Sequence, residues 1–187
     1  MIKDLQPNLR ELLSDLPNGE TLFKIYSSIL EFTIINRWEG ACHESCGALH
    51  ILLSENDIQN EWFIGEVKNK NVYFDHSWIE INNEIFDIAI LFPLVPECSN
   101  APIIRSKNLN DFNLTTIEYG VYSGEPLSEQ TKIVKELSLS DYLFHSPINK
   151  VKGTFALIEM ISETKLNKRI DLDAIRKKYN KICYKEK

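Results

Sequence analysis

Three runs rich in aromatic and β-branched residues follow one another between Glu61 and Leu91. Residues of these types are typical of β-strands, so the region predicts three consecutive strands. The dipeptide Asn82-Asn83 separates the second run from the third. Because asparagine tolerates a positive φ, this dipeptide predicts a two-residue hairpin turn. The turn sets the register of the two strands and so decides which side chains oppose one another.

The predicted hairpin brings a histidine next to a carboxylate. Counting outward from the turn, His76 faces Ala89, and Trp78 faces Asp87. Side chains alternate along a strand, so these four residues are expected on one face of the sheet. His76 and Asp87 are then diagonal neighbours, with Cα atoms about 7–8 Å apart and side chains within reach of each other. The opposite face is apolar and is expected to pack on the core; it carries Ile79, Ile81, Phe86, Ile88 and Ile90.

The segment 39–58 predicts a loop that leads into a buried helix. Gly40 shortly precedes Cys42, and an apolar run follows over residues 48–53, so we expect the helix to begin near Cys42. A thiol at a helix N-terminus, close to a histidine, has a larger thiolate fraction than a free cysteine. Cys42 fits that position. Cys46 lies one turn further along the same helical face and is the alternative nucleophile.

The rest of the chain is predicted to be mainly helical. Residues 1–38 favour two helices, with a break at Pro17-Asn18-Gly19 and a second helix that starts near Glu20. One strand is predicted within residues 113–122. Three later segments favour helices, the last of them capped by Asp171, and they span 129–145, 152–165 and 171–185. The prediction is therefore an α+β fold in one domain over residues 1–187, with helices packed on an antiparallel sheet.

Composition and charge argue against several classes of protein. The net charge of −6 is unfavourable for a general nucleic-acid or anionic-membrane surface. No apolar run approaches the roughly 18 residues of a membrane span, and the charged N-terminus lacks the apolar core of a secretory signal, so a cytoplasmic protein is expected. The four cysteines are too few for a disulfide scaffold, and Cys98 and Cys183 are expected to be ordinary free thiols.

Two motifs resemble the transglutaminase-like superfamily, a papain-related fold of cysteine enzymes. GACHESCGALHILL is similar to its nucleophile motif, in which Gly-x-Cys opens a helix that carries paired leucines ten and eleven positions on, here Leu52 and Leu53. HSWIEINNEIFDIA resembles its His-x-Trp strand, followed by a hairpin return that carries an aspartate. The likeness covers about residues 36–91, while residues 92–187 match no subfamily. One departure is Cys46-Gly47, where the family more often has larger apolar residues.

The resemblance implies a catalytic site. It assigns Cys42 as nucleophile, His76 as base and Asp87 as the carboxylate that orients the ring. The activity implied is thiol-dependent acyl transfer on amide bonds of a protein or peptide, by hydrolysis or by transglutaminase-type transfer, without a cofactor. Such chemistry needs an oxyanion hole. The Cys42 backbone N–H is one candidate donor, and the side chains of Asn36 and Trp38 are others; Trp78 is a candidate for substrate contact.

Two alternatives stay open. Cys42, Cys46 and His50 lie on roughly one helical face, where His43 or His76 could complete a zinc site. The short Cys-x-x-Cys spacing typical of zinc sites is missing, so no metal is expected. Without a metal, His43 is expected to be solvated and His50 to lie in or at the edge of the core. The second alternative is a non-catalytic module that binds proteins or peptides on the same fold.

Overall fold

The computed structural model describes residues 2–187, with side chains from residue 4 onward. Met1, which falls within the predicted helical segment 1–38, lies outside the described residues. Seven α-helices are α1 (Ile2–Leu13), α2 (Gly19–Asn36), α3 (Cys42–Ser54), α4 (Glu129–Glu136), α5 (Leu139–Phe144), α6 (Phe155–Thr164) and α7 (Leu172–Lys178). Seven strands are β1 (Glu61–Asn69), β2 (Val72–Ile81), β3 (Glu84–Phe86), β4 (Ile103–Ile104), β5 (Lys107–Asn108), β6 (Glu118–Val121) and β7 (Tyr184–Glu186). The described chain is therefore α+β, as predicted.

The main sheet has its strands in the order β3-β2-β1, with two short strands on the free edge of β1. There β7 pairs in parallel with Trp62–Ile64, and β6 pairs antiparallel with Glu66–Lys68. The sheet is antiparallel except at β7. The prediction of helix through residue 185 is wrong at its end, because helix α7 stops at Lys178 and residues 184–186 form this edge strand.

The predicted hairpin turn is confirmed, but its ladder is shorter than expected. Asn82 and Asn83 both have positive φ, 53° and 63°, and the β2–β3 ladder runs only as far as the pair Ile79–Phe86. The next residue, Asp87, instead exchanges both backbone hydrogen bonds with Ile103, each at 2.8 Å. The predicted cross-strand pairs of His76 with Ala89 and of Trp78 with Asp87 are therefore wrong. Ala89 begins a short 3₁₀ turn.

Helix α3 lies at the centre of the helical layer and contacts β1, β2, α2, α5 and α6. It starts at Cys42, as predicted. Gly47 faces helix α5, where a Cβ would lie 2.8 Å from Leu139 Cδ1 and 3.1 Å from Leu143 Cδ2. The glycine thus permits close helix packing, which offsets the roughly 1 kcal/mol that glycine costs inside a helix.

Two apolar clusters flank the main sheet. The larger one holds the residues buried between helices α1–α3, the C-terminal helices and the sheet, including Ile79, Ile81, Phe86 and Ile88. The smaller one contains Phe63, Val67, Trp78, Ile90, Ile103 and Ile117. The predicted core face is thus correct for four of its five members. Ile90 belongs with Trp78 in the smaller cluster, because the chain leaves the ladder at Asp87. Within residues 2–187, no helix has both the length and the apolar composition needed to cross a bilayer.

Candidate functional site

Helix α3 presents Cys42 as its first residue, half-buried, at the end of a tight loop. Gly40 has a φ of +65°, and a Cβ on it would lie 2.5 Å from Leu94 Cδ2, so a larger residue would be strained here and would displace Leu94. The Gly40 N–H donates to Phe92 O across 2.9 Å and ties the loop to the segment after β3. The first intrahelical hydrogen bond of α3 runs from Ser45 N–H to Ala41 O. The N–H groups just before Ser45 thus precede the helical ladder, as at any helix start.

His76 and Asp87 form a buried pair on neighbouring parts of the chain. His76 Nε2 lies 2.7 Å from Asp87 Oδ2, and both side chains are almost fully excluded from solvent. The predicted contact between these two side chains is present, although it does not arise from a continued ladder. Because the Asp87 carboxylate accepts a hydrogen bond from His76 Nε2, the other ring nitrogen, Nδ1, remains for a further partner.

Asp87 receives three hydrogen bonds. Oδ2 accepts from His76 Nε2 and, across 2.8 Å, from the Tyr119 hydroxyl; Oδ1 accepts from the Ile90 N–H across 3.1 Å. Burial, followed by the charge of Asp87, raises the pKa of Tyr119 well above its ordinary value, so this hydroxyl stays protonated and donates. Three donors converging on one buried carboxylate compensate for the water that it has lost.

The protonation of His76 is set by its two neighbours. Burial lowers the pKa of this ring, but the charge and hydrogen bond of Asp87, together with a hydrogen bond and charge interaction with Cys42, outweigh burial and raise the pKa to about 10. The ring is therefore protonated at neutral pH. A protonated imidazole between a carboxylate and a thiol is the form that stabilises a thiolate.

Cys42 and His76 both border a cleft of about 560 Å³. One wall is apolar and includes Ala89, Pro93, Leu94 and Val95. The segment 123–128 closes another side. Its first N–H, that of Ser123, donates to Glu66 Oε2 across 2.8 Å, and its last, that of Ser128, donates to Asp75 Oδ2 across 2.6 Å. The two carboxylates hold this segment at the rim of the cleft that contains the thiol.

Cys46 lies inside the main core, where it is 2 % exposed. Burial, followed by the charges of Asp87 and Cys42, raises the pKa of its thiol well above the ordinary value. Such a thiol is protonated at neutral pH and shielded from reagents in solution. The structure therefore favours Cys42 over Cys46 as the accessible thiol.

His43 differs from the sequence prediction, because it is buried rather than solvated. Its Nδ1 lies 2.5 Å from Ser77 Oγ, and its Nε2 lies 3.3 Å from Thr131 Oγ1. Burial and the positive charge of His76 lower the pKa of His43 to about 4, against a smaller opposing effect of Asp75. His43 is thus a neutral residue next to Cys42 at neutral pH.

The three additional candidates lie away from the cleft. Asn36 donates to Phe32 O across 2.8 Å, and the Trp38 indole donates to Glu44 Oε2 across 3.2 Å. Trp78 is fully buried, and its indole donates to Glu80 Oε1 across 2.9 Å. Each of these side chains thus donates to a protein acceptor, and none is among the residues that line the cleft with Cys42.

The proposed zinc ligands do not converge. His50 Nδ1 lies 2.8 Å from Asn60 Oδ1, and burial lowers the pKa of this ring. Across the side chains that the structure describes, no cluster of three or more histidine, cysteine or acidic residues could hold a metal ion.

Comparison with protein-family models, with curated proteins and with solved structures found no match to this chain.

Sequence reasoning missed Tyr119, the buried state of His43 and the segment 123–128. Tyr119 lies in a predicted strand, but nothing local indicates which residue it meets, because Asp87 is 32 positions away. A weak signal existed for the end of the segment, since serine is a preferred N-cap residue, and Ser128 does cap α4.

Proposed function

We propose that the protein is a thiol-dependent acyl-transfer enzyme that acts on amide bonds of a peptide or protein, with Cys42 as nucleophile. The observation that carries this proposal is geometric: His76 Nε2 lies 2.7 Å from Asp87 Oδ2, Cys42 interacts with the same ring, and His76 and Cys42 border one cleft. Each role in nucleophilic catalysis by a thiol has a residue that fits it.

The reaction proceeds in two halves. The Cys42 thiolate attacks the amide carbonyl carbon, the C–N bond breaks, and His76 gives its proton to the departing amine. Water then attacks the thioester while His76 takes a proton from it; the C–S bond breaks, a carboxylic acid leaves, and the Cys42 thiolate and protonated His76 are restored. An amine in place of water gives a new amide, which is transglutaminase-type transfer.

The start of α3 offers stabilisation for the intermediate. The Cys42 N–H belongs to the first helical turn and precedes the first intrahelical hydrogen bond, and the N-cap residue Ala41 has no side-chain acceptor. The developing oxyanion would accept from such a donor, with added support from the positive end of the helix dipole.

The two motifs extend the proposal to family level. A nucleophile helix that begins at Cys42 and packs on a strand that carries His76 agrees with a transglutaminase-like, papain-related fold. We favour hydrolysis by a peptidase, amidase or deamidase over amine transfer as the starting hypothesis.

The proposal is tested by alkylating the thiols with iodoacetamide at about pH 6, where an ordinary thiol reacts slowly. Wild type should show one fast phase that Cys42→Ala abolishes and Cys46→Ala retains. A peptide and glutamine-amide panel then measures turnover with the same three proteins. A fast phase that survives in Cys42→Ala and disappears in Cys46→Ala would assign the nucleophile to Cys46. Absence of both a fast phase and turnover would leave a non-catalytic binding module as the better description.

A further inference from the structure

The cleft beside Cys42 is acidic as well as apolar. Three carboxylates line it, those of Glu66, Asp75 and Glu125, and no lysine or arginine is among its lining residues in the described chain. His76 also lines the cleft, but it is paired with the buried carboxylate of Asp87, which is not one of these three. A cleft with one sign of charge and low-dielectric walls concentrates the electrostatic field that an entering group experiences.

Among these three carboxylates, Glu66 indicates most specifically which kind of ligand group the cleft would bind. Its side chain lines the cleft and is only 8 % exposed, and Oε2 accepts from the Ser123 N–H. Its second oxygen, Oε1, accepts no hydrogen bond from any residue that the structure describes. Oε1 is therefore open to the cleft, where a cationic donor of a ligand would form a charge-assisted hydrogen bond with it.

The remaining walls suit a carbon chain that ends in a positive charge. Pro93, Leu94 and Val95 provide an apolar surface, of which Leu94 is 69 % exposed. Lysine and arginine side chains lay their methylene stems along such surfaces and keep the charged end at polar groups.

We infer that this cleft selects peptide substrates with a lysine or arginine side chain on the acyl side of the scissile amide. The inference rests on the proposed function, since it names the substrate class of the Cys42 site. The stem lies on the apolar wall, and the ammonium or guanidinium group meets Glu66, with Asp75 and Glu125 adding to the attraction.

The first test measures charge preference at Cys42 without requiring turnover. Two methanethiosulfonate reagents of similar size are compared, one with a trimethylammonium group and one with a sulfonate group. In each case the thiolate displaces methanesulfinate and forms a mixed disulfide, and peptide mapping locates the label. Relative to a free cysteine derivative, we expect Cys42 to favour the cationic reagent by roughly tenfold or more at low salt, with the preference falling as salt rises.

Glu125→Gln is the informative variant. Glu125 is exposed, and its carboxylate anchors no backbone group, so the change removes charge without releasing the segment 123–128. We expect the cationic preference to fall by roughly two- to fivefold. Glu163→Gln, an exposed change of the same kind on α6, is the matched control and should leave the preference unchanged.

The second test compares two fluorogenic peptide amides that differ only in lysine or norleucine before the scissile bond. A kcat/KM at least roughly tenfold higher for lysine supports the inference. Equal rates, or a cationic labelling preference no greater than that of the free cysteine derivative, would overturn it. If no amide is turned over while Cys42 still prefers the cationic reagent, the proposed function fails and the cation-selective cleft is upheld. A preference for cationic amines as acyl acceptors, with no discrimination among donors, would also contradict the assignment to the acyl side.

Discussion

The Tyr119 hydroxyl lies 2.8 Å from Asp87 Oδ2, the same oxygen that accepts from His76 Nε2. Tyr119 comes from β6, which reaches the site by pairing with β1, whereas Asp87 follows β3 at the far side of β2. Through the Asp87 carboxylate, the tyrosine therefore connects the two opposite edges of the sheet. It acts as a positioning residue, because it reaches the thiol only through Asp87 and His76.

Tyr119→Phe should lower the free energy of unfolding and raise the pH at which His76 titrates. The Tyr119 ring packs against Trp78 with ring centroids 5.2 Å apart, and phenylalanine keeps this contact. The change therefore removes only the hydroxyl. Loss of a hydrogen bond to a buried charged group costs roughly 1.5–3 kcal/mol, which urea unfolding at neutral pH would detect. With one donor fewer, the carboxylate attracts the His76 proton more strongly. NMR of labelled histidine should therefore find the His76 titration midpoint at higher pH than in wild type.

The control for this prediction is Tyr122→Phe, which removes the hydroxyl of a tyrosine that is 80 % exposed. This variant should match wild type in both measurements. A stability loss in Tyr119→Phe with an unmoved His76 titration would mean that Tyr119 is structural only.

Asp87→Asn should preserve the fold and slow the chemistry. An amide in this place no longer holds the charged ring and favours the wrong tautomer, so we expect the fast alkylation and any turnover to fall by roughly 10²- to 10⁴-fold. Single-turnover alkylation and the best peptide amide would measure the loss. A decrease of less than a few-fold, with intact secondary structure by circular dichroism, would show that Asp87 does not serve the thiol.

The same variant should remove a pH dependence of stability on the alkaline side. The folded pKa of His76, about 10, is above the unfolded value, so its contribution is fully present below about pH 6.5 and is lost as pH rises through 10. Wild type should lose unfolding free energy across that interval, whereas Asp87→Asn should start lower and lose much less. Urea titrations at several pH values would compare the slopes, and parallel curves would contradict the assignment.

The sequence predicted the hairpin because its signal is local. Asn82 and Asn83 adopt the positive φ that their side chains tolerate, and the turn alone fixes the first pairs of the ladder. The departure of Asp87 could not be predicted this way, since it depends on Ile103, in the two-residue strand β4 that follows three prolines. The His76–Asp87 contact was thus predicted correctly from a ladder that ends one residue too early to provide it.

The errors in the predicted helices 129–145 and 171–185 have a different origin. The split between α4 and α5 had a visible signal, because Ser138 and Asp141 have capping-box spacing and Ser138 caps α5. The strand Tyr184–Glu186 had none, since its pairing with β1 joins positions more than a hundred residues apart. Local propensity cannot report such contacts, and tertiary pairing overrides it.

The buried ring of His43 should make the protein less stable in acid. The groups that face its ring are the hydroxyls of Ser77 and Thr131, the charged His76 and the carboxylate of Asp75. Only Asp75 favours a proton on His43, and burial together with His76 outweighs it, so the folded pKa is about 4. An unfolded histidine titrates near 6.5.

Between about pH 6.5 and 4 the unfolded chain therefore binds a proton that folded His43 refuses, and stability must fall as pH falls. The expected loss is up to about 3 kcal/mol, to which the half-buried His50 adds in the same direction because its pKa is also lowered. His43→Gln should lower stability at neutral pH but flatten this acid slope. His145→Gln, at an exposed position, should retain the wild-type slope. Urea unfolding between pH values of about 7 and 4 measures both variants, and an unchanged slope in His43→Gln would mean that the ring is protonated in the folded protein.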